Sequence, residues 1–453
     1  MGQTEPMQQH NLTQGSIPRL LALFSWPMVL TNFLQTLYGL ADVLIVGRFI
    51  GTAAMSAVTV GGQTGLFLTT FSMGLSAGGQ ILIAQLKGAR QTERQRQVTG
   101  TLFGLSLAAG ILVSILGFFL ARPILGLLQT PEEAMEGALS YMRLTALGLA
   151  FVFLYNAIAG VLRGLGDSRW PLLFAAVAAV FHIGLCLLFV GPLSMGVAGA
   201  ALSTVIAQAV ASLLGAATLF FRRRTFHFDF HPKGLRPHLS EVWPILKIGL
   251  PFGLQMGLLS LSNLFITRLI NPYGVAASAA LGAGNRVTSL LTVPMMAIGN
   301  GASTIIGQSM GAKRPHRVSG TLRWALVYTL AFTALTAAFT LLFPAPLLGL
   351  FTRDPKVLEI GVLYLQILAW AYMGHALHSS FNAVALGVGF TAYSLLAASA
   401  EALVGRIGLT FLLSHIWALP GMFTAQAIAP YLAAILSFSY WLSRRWKHRT
   451  LVE

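Results

Sequence analysis

The stretch IPRLLALFSWPMVLTNFLQTLYGLADVLIVGRFI, residues 17–50, is predominantly apolar and carries one carboxylate, Asp42. About 20 apolar residues of helix cross the hydrocarbon core of a bilayer. This stretch therefore predicts a membrane span, and its aspartate is the feature that needs a reason. A carboxylate at that depth costs several kcal/mol unless it faces a wet cavity, pairs with another group or is protonated.

The rest of the chain is of the same kind. Of its 453 residues, 55% are hydrophobic and 9% charged, against about 25% charged in a soluble domain. Mean hydropathy is +0.73. The net charge of +16 does not indicate nucleic acid, because the basic residues sit in short loops between apolar runs. The single cysteine, Cys186, excludes an intramolecular disulfide and reads as a small hydrophobe. The start MGQTEPMQQHNLTQGS shows no cleaved-signal pattern, and its sixth position lacks the Ser or Thr of a myristoylation motif.

Twelve stretches are long and apolar enough to span: 17–48, 54–84, 97–120, 139–162, 170–190, 195–220, 243–270, 276–309, 320–342, 357–385, 391–414 and 418–442. Pro27 is expected to bend the first helix. Loops after even-numbered spans are basic (Lys87, Arg90, Arg94, Arg96; Arg163, Arg169; Arg222, Arg223, Arg224, Lys233, Arg236; Lys313, Arg314, Arg317), and so is the C-terminal tail. Glu132, Glu133, Glu136, Asp354 and Glu359 cluster after odd-numbered ones. The positive-inside rule then places both termini in the cytoplasm.

The chain also repeats. At an offset of 223 residues, GTAA at 51 meets GVAA at 274, Gln85 meets Gln308 and Gly88-Ala89 meets Gly311-Ala312. At the same offset PILGL at 123 meets PLLGL at 346, Tyr141 meets Tyr364, and Gly164 and Gly166 meet Gly387 and Gly389. VTGTL at 98 answers VSGTL at 318 after a short gap. Six spans per repeat is even, so both halves share one orientation. The expectation is an all-α polytopic membrane protein of twelve transmembrane helices. Two six-helix bundles would be related by a pseudo-twofold axis along the membrane normal. The expected segments are an N-terminal tail (1–16), an N-lobe (17–221), a cytoplasmic linker (222–242), a C-lobe (243–443) and a basic tail (444–453).

Nothing argues for an enzyme: GxxxxGK[ST], GxSxG, HExxH and Cys-x-x-Cys are all absent. Of thirteen acidic residues only Asp42 and Glu401 lie well inside spans. Asp42 is the candidate for loading a coupling ion, the alternative being a buried hydrogen bond that fixes packing. His182 is placed at a similar level in the fifth span. Arg406, five residues on, is the simplest partner for Glu401. His375 and His378 share a face of the tenth span, but two histidines without further ligands make no metal site. With Gln35, Gln255 and Met256 these residues are candidates for a substrate cavity.

LQTLYGLADVLIVGRFIGTAAMSAV (34–58), VLRGLGDSRWP (161–171) and MGVAGAALSTVIAQ (195–208) resemble the first helix and loop, the segment after the fourth span and the sixth helix of the multidrug and toxic compound extrusion (MATE) family. The likeness is strongest to its prokaryotic DNA-damage-inducible branch. It implies a monomeric antiporter of the prokaryotic inner (plasma) membrane with a V-shaped cavity. Such a protein expels small amphipathic, often cationic compounds against inward H⁺ or Na⁺ and needs no other cofactor. It also implies that Asp42 is the coupling residue, that the helix bends at Pro27, and that Tyr38, Asn156 and Thr204 are polar neighbours. The branch carries Asn and then Asp in its fifth helix where this chain has His182 and Cys186. A Na⁺ site prefers several hard oxygen ligands, so the departure favours H⁺. No acid stands well inside the tenth span, Glu359 lying at its start, whereas the other large branch carries one there. The runner-up is a flippase for lipid-linked oligosaccharide, with Arg268, Arg286 and Arg406 as its candidate headgroup contacts. A non-transporting membrane sensor or assembly protein is the reading from another class.

Overall fold

The computed structural model describes residues 11–128, 130–226 and 237–452, and every regular element among them is helical. Most of the N-terminal tail and the linker stretch 227–236, with Lys233 and Arg236, lie outside the described residues. The first half of the chain contributes α1 (Ile17–Phe49), α2 (Thr52–Gly88), α3 (Thr92–Leu127), α4 (Glu132–Leu147), α5 (Leu149–Gly164), α6 (Arg169–Val190) and α7 (Gly196–Phe221). The second half contributes α8 (Leu239–Ile270), α9 (Val275–Gly311), α10 (Pro315–Leu342), α11 (Pro355–Leu368), α12 (Ala371–Gly387) and α13 (Thr391–Leu442).

Nine of these helices are long and apolar enough to cross a membrane, and eleven spans result when each bent pair is taken as one. The pairs are α4 with α5, bent by 48°, and α11 with α12, bent by 43°. Ala418, at φ 50° and ψ −129°, breaks α13 into two helices, which accounts for the twelfth span.

The spans expected at 139–162 and 357–385 are thus longer and broken, because hydropathy registers apolar length and not direction. At the first break Gly148 lets α7 approach: a Cβ there would lie 2.8 Å from Val205. Lys87, Arg94, Arg96, Glu132, Glu133 and Glu136, expected in loops, lie in helices. The helices continue past the hydrocarbon, so charge marks the edge of the apolar layer and not the end of the helix.

The internal repeat is visible in the backbone. Positive φ occurs at Gly51 and Gly274 (117° and 99°), at Arg90 and Lys313 (59° and 55°) and at Gly166 and Gly389 (91° and 78°), each pair 223 residues apart. Arg90 and Lys313 close equivalent helix ends, since Gln91 N donates to Leu86 O and Arg314 N to Ser309 O. A Cβ on Gly61 would press on the Tyr141 ring at 2.8 Å, and one on Gly284 on the Tyr364 ring at 2.3 Å.

The chain divides into two compact units, Leu30–Gly253 with Asn11, and Leu12–Val29 with Leu254–Glu453. The boundary cuts α1 just after Pro27 and α8 just after Pro251. In the first unit α8 packs backbone to backbone on α2 through two GxxxG pairs, Gly74/Gly78 and Gly249/Gly253. A Cβ at Gly78 would lie 2.4 Å from the Ile245 carbonyl oxygen, and one at Gly249 2.7 Å from that of Gly74. Small residues allow this approach, which supplies the packing energy that lipid does not. From α3, Arg94 adds a short ion pair to Glu241 at the start of α8, which with Asp42 and Glu401 is one of three buried acids among the described residues. In the second unit Leu12, Leu21, Phe24 and Met28 pack among Ala297, Ile298, Ile305 and Val384. Arg314 Nη1 and Arg317 Nη2 hold the carbonyls of Thr13 and Leu12.

Gly78→Ala should therefore lower the melting temperature of the detergent-solubilised protein. Gly62→Ala on the same helix, with nothing within 4 Å of its Cβ, should leave it level or raise it. Equal behaviour of the two variants would remove the close packing of α2 on α8 as a source of stability.

Candidate functional site

Asp42 lies in the half of α1 that belongs to the first unit and is 4% exposed. Four side chains from three other helices meet it. Tyr141 from α4 donates its hydroxyl to Oδ2 at 3.2 Å, and Thr204 from α7 reaches the same oxygen at 3.3 Å. His182 from α6 places Nε2 3.0 Å from Oδ1, and Cys186, one turn later, places its thiol 3.5 Å from that oxygen. Tyr141 and Cys186 pack with Val46, Val58, Val190 and Ala200 in one buried apolar cluster.

The network continues outward. His182 Nε2 also lies 3.2 Å from Thr204 Oγ1, and its ring meets Tyr38 edge-on at 4.9 Å between centroids. Gln208 donates to the Tyr38 hydroxyl at 3.1 Å. Spacing explains the convergence: positions 38 and 42 share a face of α1, as 182 and 186 do of α6 and 204 and 208 of α7.

Proton bookkeeping shows what the site can do. His182 is 1% exposed, and Nδ1 has no hydrogen-bond partner among the described residues. The 3.0 Å contact serves two protonation states of the site. With Asp42 ionised, Nε2–H donates to Oδ1 and the neutral ring has no proton on Nδ1; with Asp42 protonated, Oδ1–H donates to a bare Nε2 and the neutral ring carries its proton on Nδ1. Taking up a proton at Oδ1 is therefore tied to a change of ring tautomer, and any form with Nδ1–H leaves that buried donor without a partner among the described residues. For a metal the donor set is poor: one carboxylate, two hydroxyls, a thiol and an imidazole. Among the described residues no three His, Cys, Asp or Glu side chains form a group able to hold an ion.

The structure thus brings Asp42, Tyr38, His182 and Thr204 together. Asn156 is engaged elsewhere: its side-chain amide donates to Val152 O in its own helix, and its main-chain carbonyl accepts from the Ser76 hydroxyl. Sequence reasoning missed Tyr141 and Gln208 as site members, and reached Cys186 only through the family resemblance. Tyr141 had a signal, its match to Tyr364 in the repeat, which alone does not say what the hydroxyl touches. Pro27 lies within a continuous α1 and belongs to the second unit. Gln35 is half-buried in the first unit.

The other candidates fall in the second unit. Glu401 is 3% exposed and pairs with Arg406 at 3.5 Å. Both lie in a π-helical turn, Ala400–Gly408. In an α-helix residues five apart point roughly 140° from each other; the π turn returns them to one face. Arg406 Nη1 donates to Asn263 Oδ1 at 2.6 Å, and His378 Nδ1 meets Ser437 Oγ at 3.0 Å. His375 and Met256 are half-buried, while the Gln255 carbonyl oxygen is buried without a partner among the described residues.

Comparison with known proteins matches this architecture. The family model described as MatE covers residues 27–188 and again 251–412, two matches 224 residues apart. The probable multidrug resistance protein YpnP of Bacillus subtilis is 30% identical over 443 residues, covering 97% of this chain and 98% of that protein. A protein named FAD transporter from Shewanella oneidensis is 27% identical over 80% of this chain and 81% of its own. A solved MOP superfamily transporter from Pyrococcus furiosus is 25% identical and superposes with a TM-score of 0.92 over 97% of this chain and 98% of its own.

Tyr141→Phe removes one hydrogen bond to a buried charged group, worth about 1.5–3 kcal/mol, and should lower thermal stability. Gly61→Ala pushes on the same ring and should do likewise. The double variant should lose less than the sum of the two. Additive losses in a double-mutant melting cycle would mean that the ring is not what positions the hydroxyl.

Proposed function

Because the chain belongs to the MATE family of membrane-embedded transporters, we propose that it is a proton-coupled antiporter exporting small amphipathic organic compounds, cationic ones among them. The observation that carries this reading is the Asp42 site, where one buried carboxylate and one buried imidazole face each other at 3.0 Å beside an apolar cluster. Protonation removes the only carboxylate charge there. The hydroxyls of Tyr141 and Thr204 then donate to a neutral carboxyl oxygen, which holds them more weakly than a carboxylate does. Such a change biases two conformations only as far as it interacts differently with each.

In the cycle we propose, substrate is taken up with Asp42 ionised. A proton arriving from outside neutralises it, α1 bends near Pro27, and substrate leaves outward. Pro27 supplies no N–H to the carbonyl four residues earlier, so that turn of α1 is the weakest. The protein works as a monomer in the inner membrane with both termini cytoplasmic, consistent with the charge pattern of its loops. Na⁺ is the less favoured ion, because Cys186 and His182 stand where further oxygen ligands would be needed.

In proteoliposomes an imposed pH gradient should drive movement of a fluorescent cationic dye, and Asp42→Asn should abolish it. His182→Ala should shift the pH profile. Cys186→Asp, adding a second carboxylate beside Asp42, should introduce a response to Na⁺. Dye movement driven only by Na⁺ at fixed pH, or a pH profile indifferent to His182, would refute the proton reading.

A further inference from the structure

We infer that Arg406, in the second unit, is a binding site for a carboxylate or phosphate group carried by an amphipathic molecule. The inference rests on the transport reading above and adds a second polar contact to it.

A guanidinium in a membrane span is costly unless it is well paired. The chain shows elsewhere what a closed pair looks like: Arg94 Nε lies 2.8 Å from Glu241 Oε1, with Nη2 3.4 Å from the second oxygen. Arg406 is different. Its Nε stands 3.5 Å from Glu401 Oε1, without the geometry of a hydrogen bond. Of its five N–H donors, one is engaged among the described residues, from Nη1 to Asn263. Asn263 is exposed on α8 while Glu401 is buried. The guanidinium therefore runs from a hidden counter-charge to the accessible surface of its unit and leaves a planar fork of donors open. Such a fork matches the two oxygens of a carboxylate or phosphate.

The surroundings favour an anion. Glu401 is the sole acid in α9, α10, α12 and α13. Arg268 on α8 and Arg286 on α9 are further exposed cations of the same unit. The π turn holds Glu401 behind Arg406, keeping the cation oriented without saturating it. The 224-residue offset between the two family matches also sets Arg406 against His182. One half of the chain has a ring that can gain or lose a proton at this place. The other half has a permanent cation.

The test is equilibrium binding to the purified full-length protein in non-ionic detergent, using a zwitterionic fluoroquinolone and its methyl ester. The wild type should bind the acid about tenfold more tightly, the equivalent of one charge-assisted hydrogen bond. Arg406→Gln should erase the preference, Arg406→Lys should restore part of it, and Glu401→Gln should widen it. Equal binding of acid and ester by the wild type would overturn the inference. So would a preference that survives in a normally eluting Arg406→Gln protein.

The same titration in nanodiscs of phosphatidylcholine, with and without phosphatidylglycerol, distinguishes the sources of the anion. Competition by the anionic lipid that disappears in Arg406→Gln would identify a headgroup as an occupant. An unchanged preference would identify the soluble compound. No gradient is imposed, so a failure of proton coupling at Asp42 would leave these results intact.

Discussion

A carboxylate in a membrane span has to be answered by its surroundings, and the first unit is built around that answer. Asp42 can stay buried because α4, α6 and α7 each bring a donor to it. Those helices are placed by contacts that tolerate no extra atom. Gly61 admits the Tyr141 ring, Gly148 admits Val205 one residue beyond Thr204, and Gly199 packs against Phe189. Hydrogen bonds to charged groups are the stronger kind. In the proposed cycle protonation weakens them, and that difference is what would bias the arrangement of the same helices.

The division of α1 between the units gives that change somewhere to go. The helix carries Asp42 in one unit and Pro27 in the other, with the boundary between Val29 and Leu30. α8 is divided in the same way between Gly253 and Leu254. Both crossings lie within three residues of a proline. Each crossing segment is tied to its host unit by arginine, Arg94 in one and Arg314 with Arg317 in the other. The two helices that change units are therefore anchored at their starts and weakened where they cross.

Much of this was legible in the sequence, for physical reasons. Apolar length names a span, and an intramembrane acid stands out because it is costly. The repeat survived as glycines and turn residues, since Gly51, Gly166, Gly274 and Gly389 occupy positive φ that other residues adopt poorly. What was not legible depends on rotation and direction. The bends after α4 and α11 leave composition unchanged, whereas the break at Ala418 falls where the eleventh and twelfth spans were separated. Tyr141 reads as an ordinary core residue until α4 is placed beside Asp42, and Cys186 by its residue type alone does the same. The π turn cannot be seen in a hydropathy pattern, so Glu401 and Arg406 were five residues apart without a shared face.

The most direct test of the account is the proton released when substrate binds. Weakly buffered, purified protein should release protons on addition of a cationic substrate, as the substrate favours the ionised form of Asp42. The release should vanish in Asp42→Asn while binding persists. Undiminished release from Asp42→Asn, or none from the wild type on saturating binding, would contradict the claim that Asp42 carries the coupling proton.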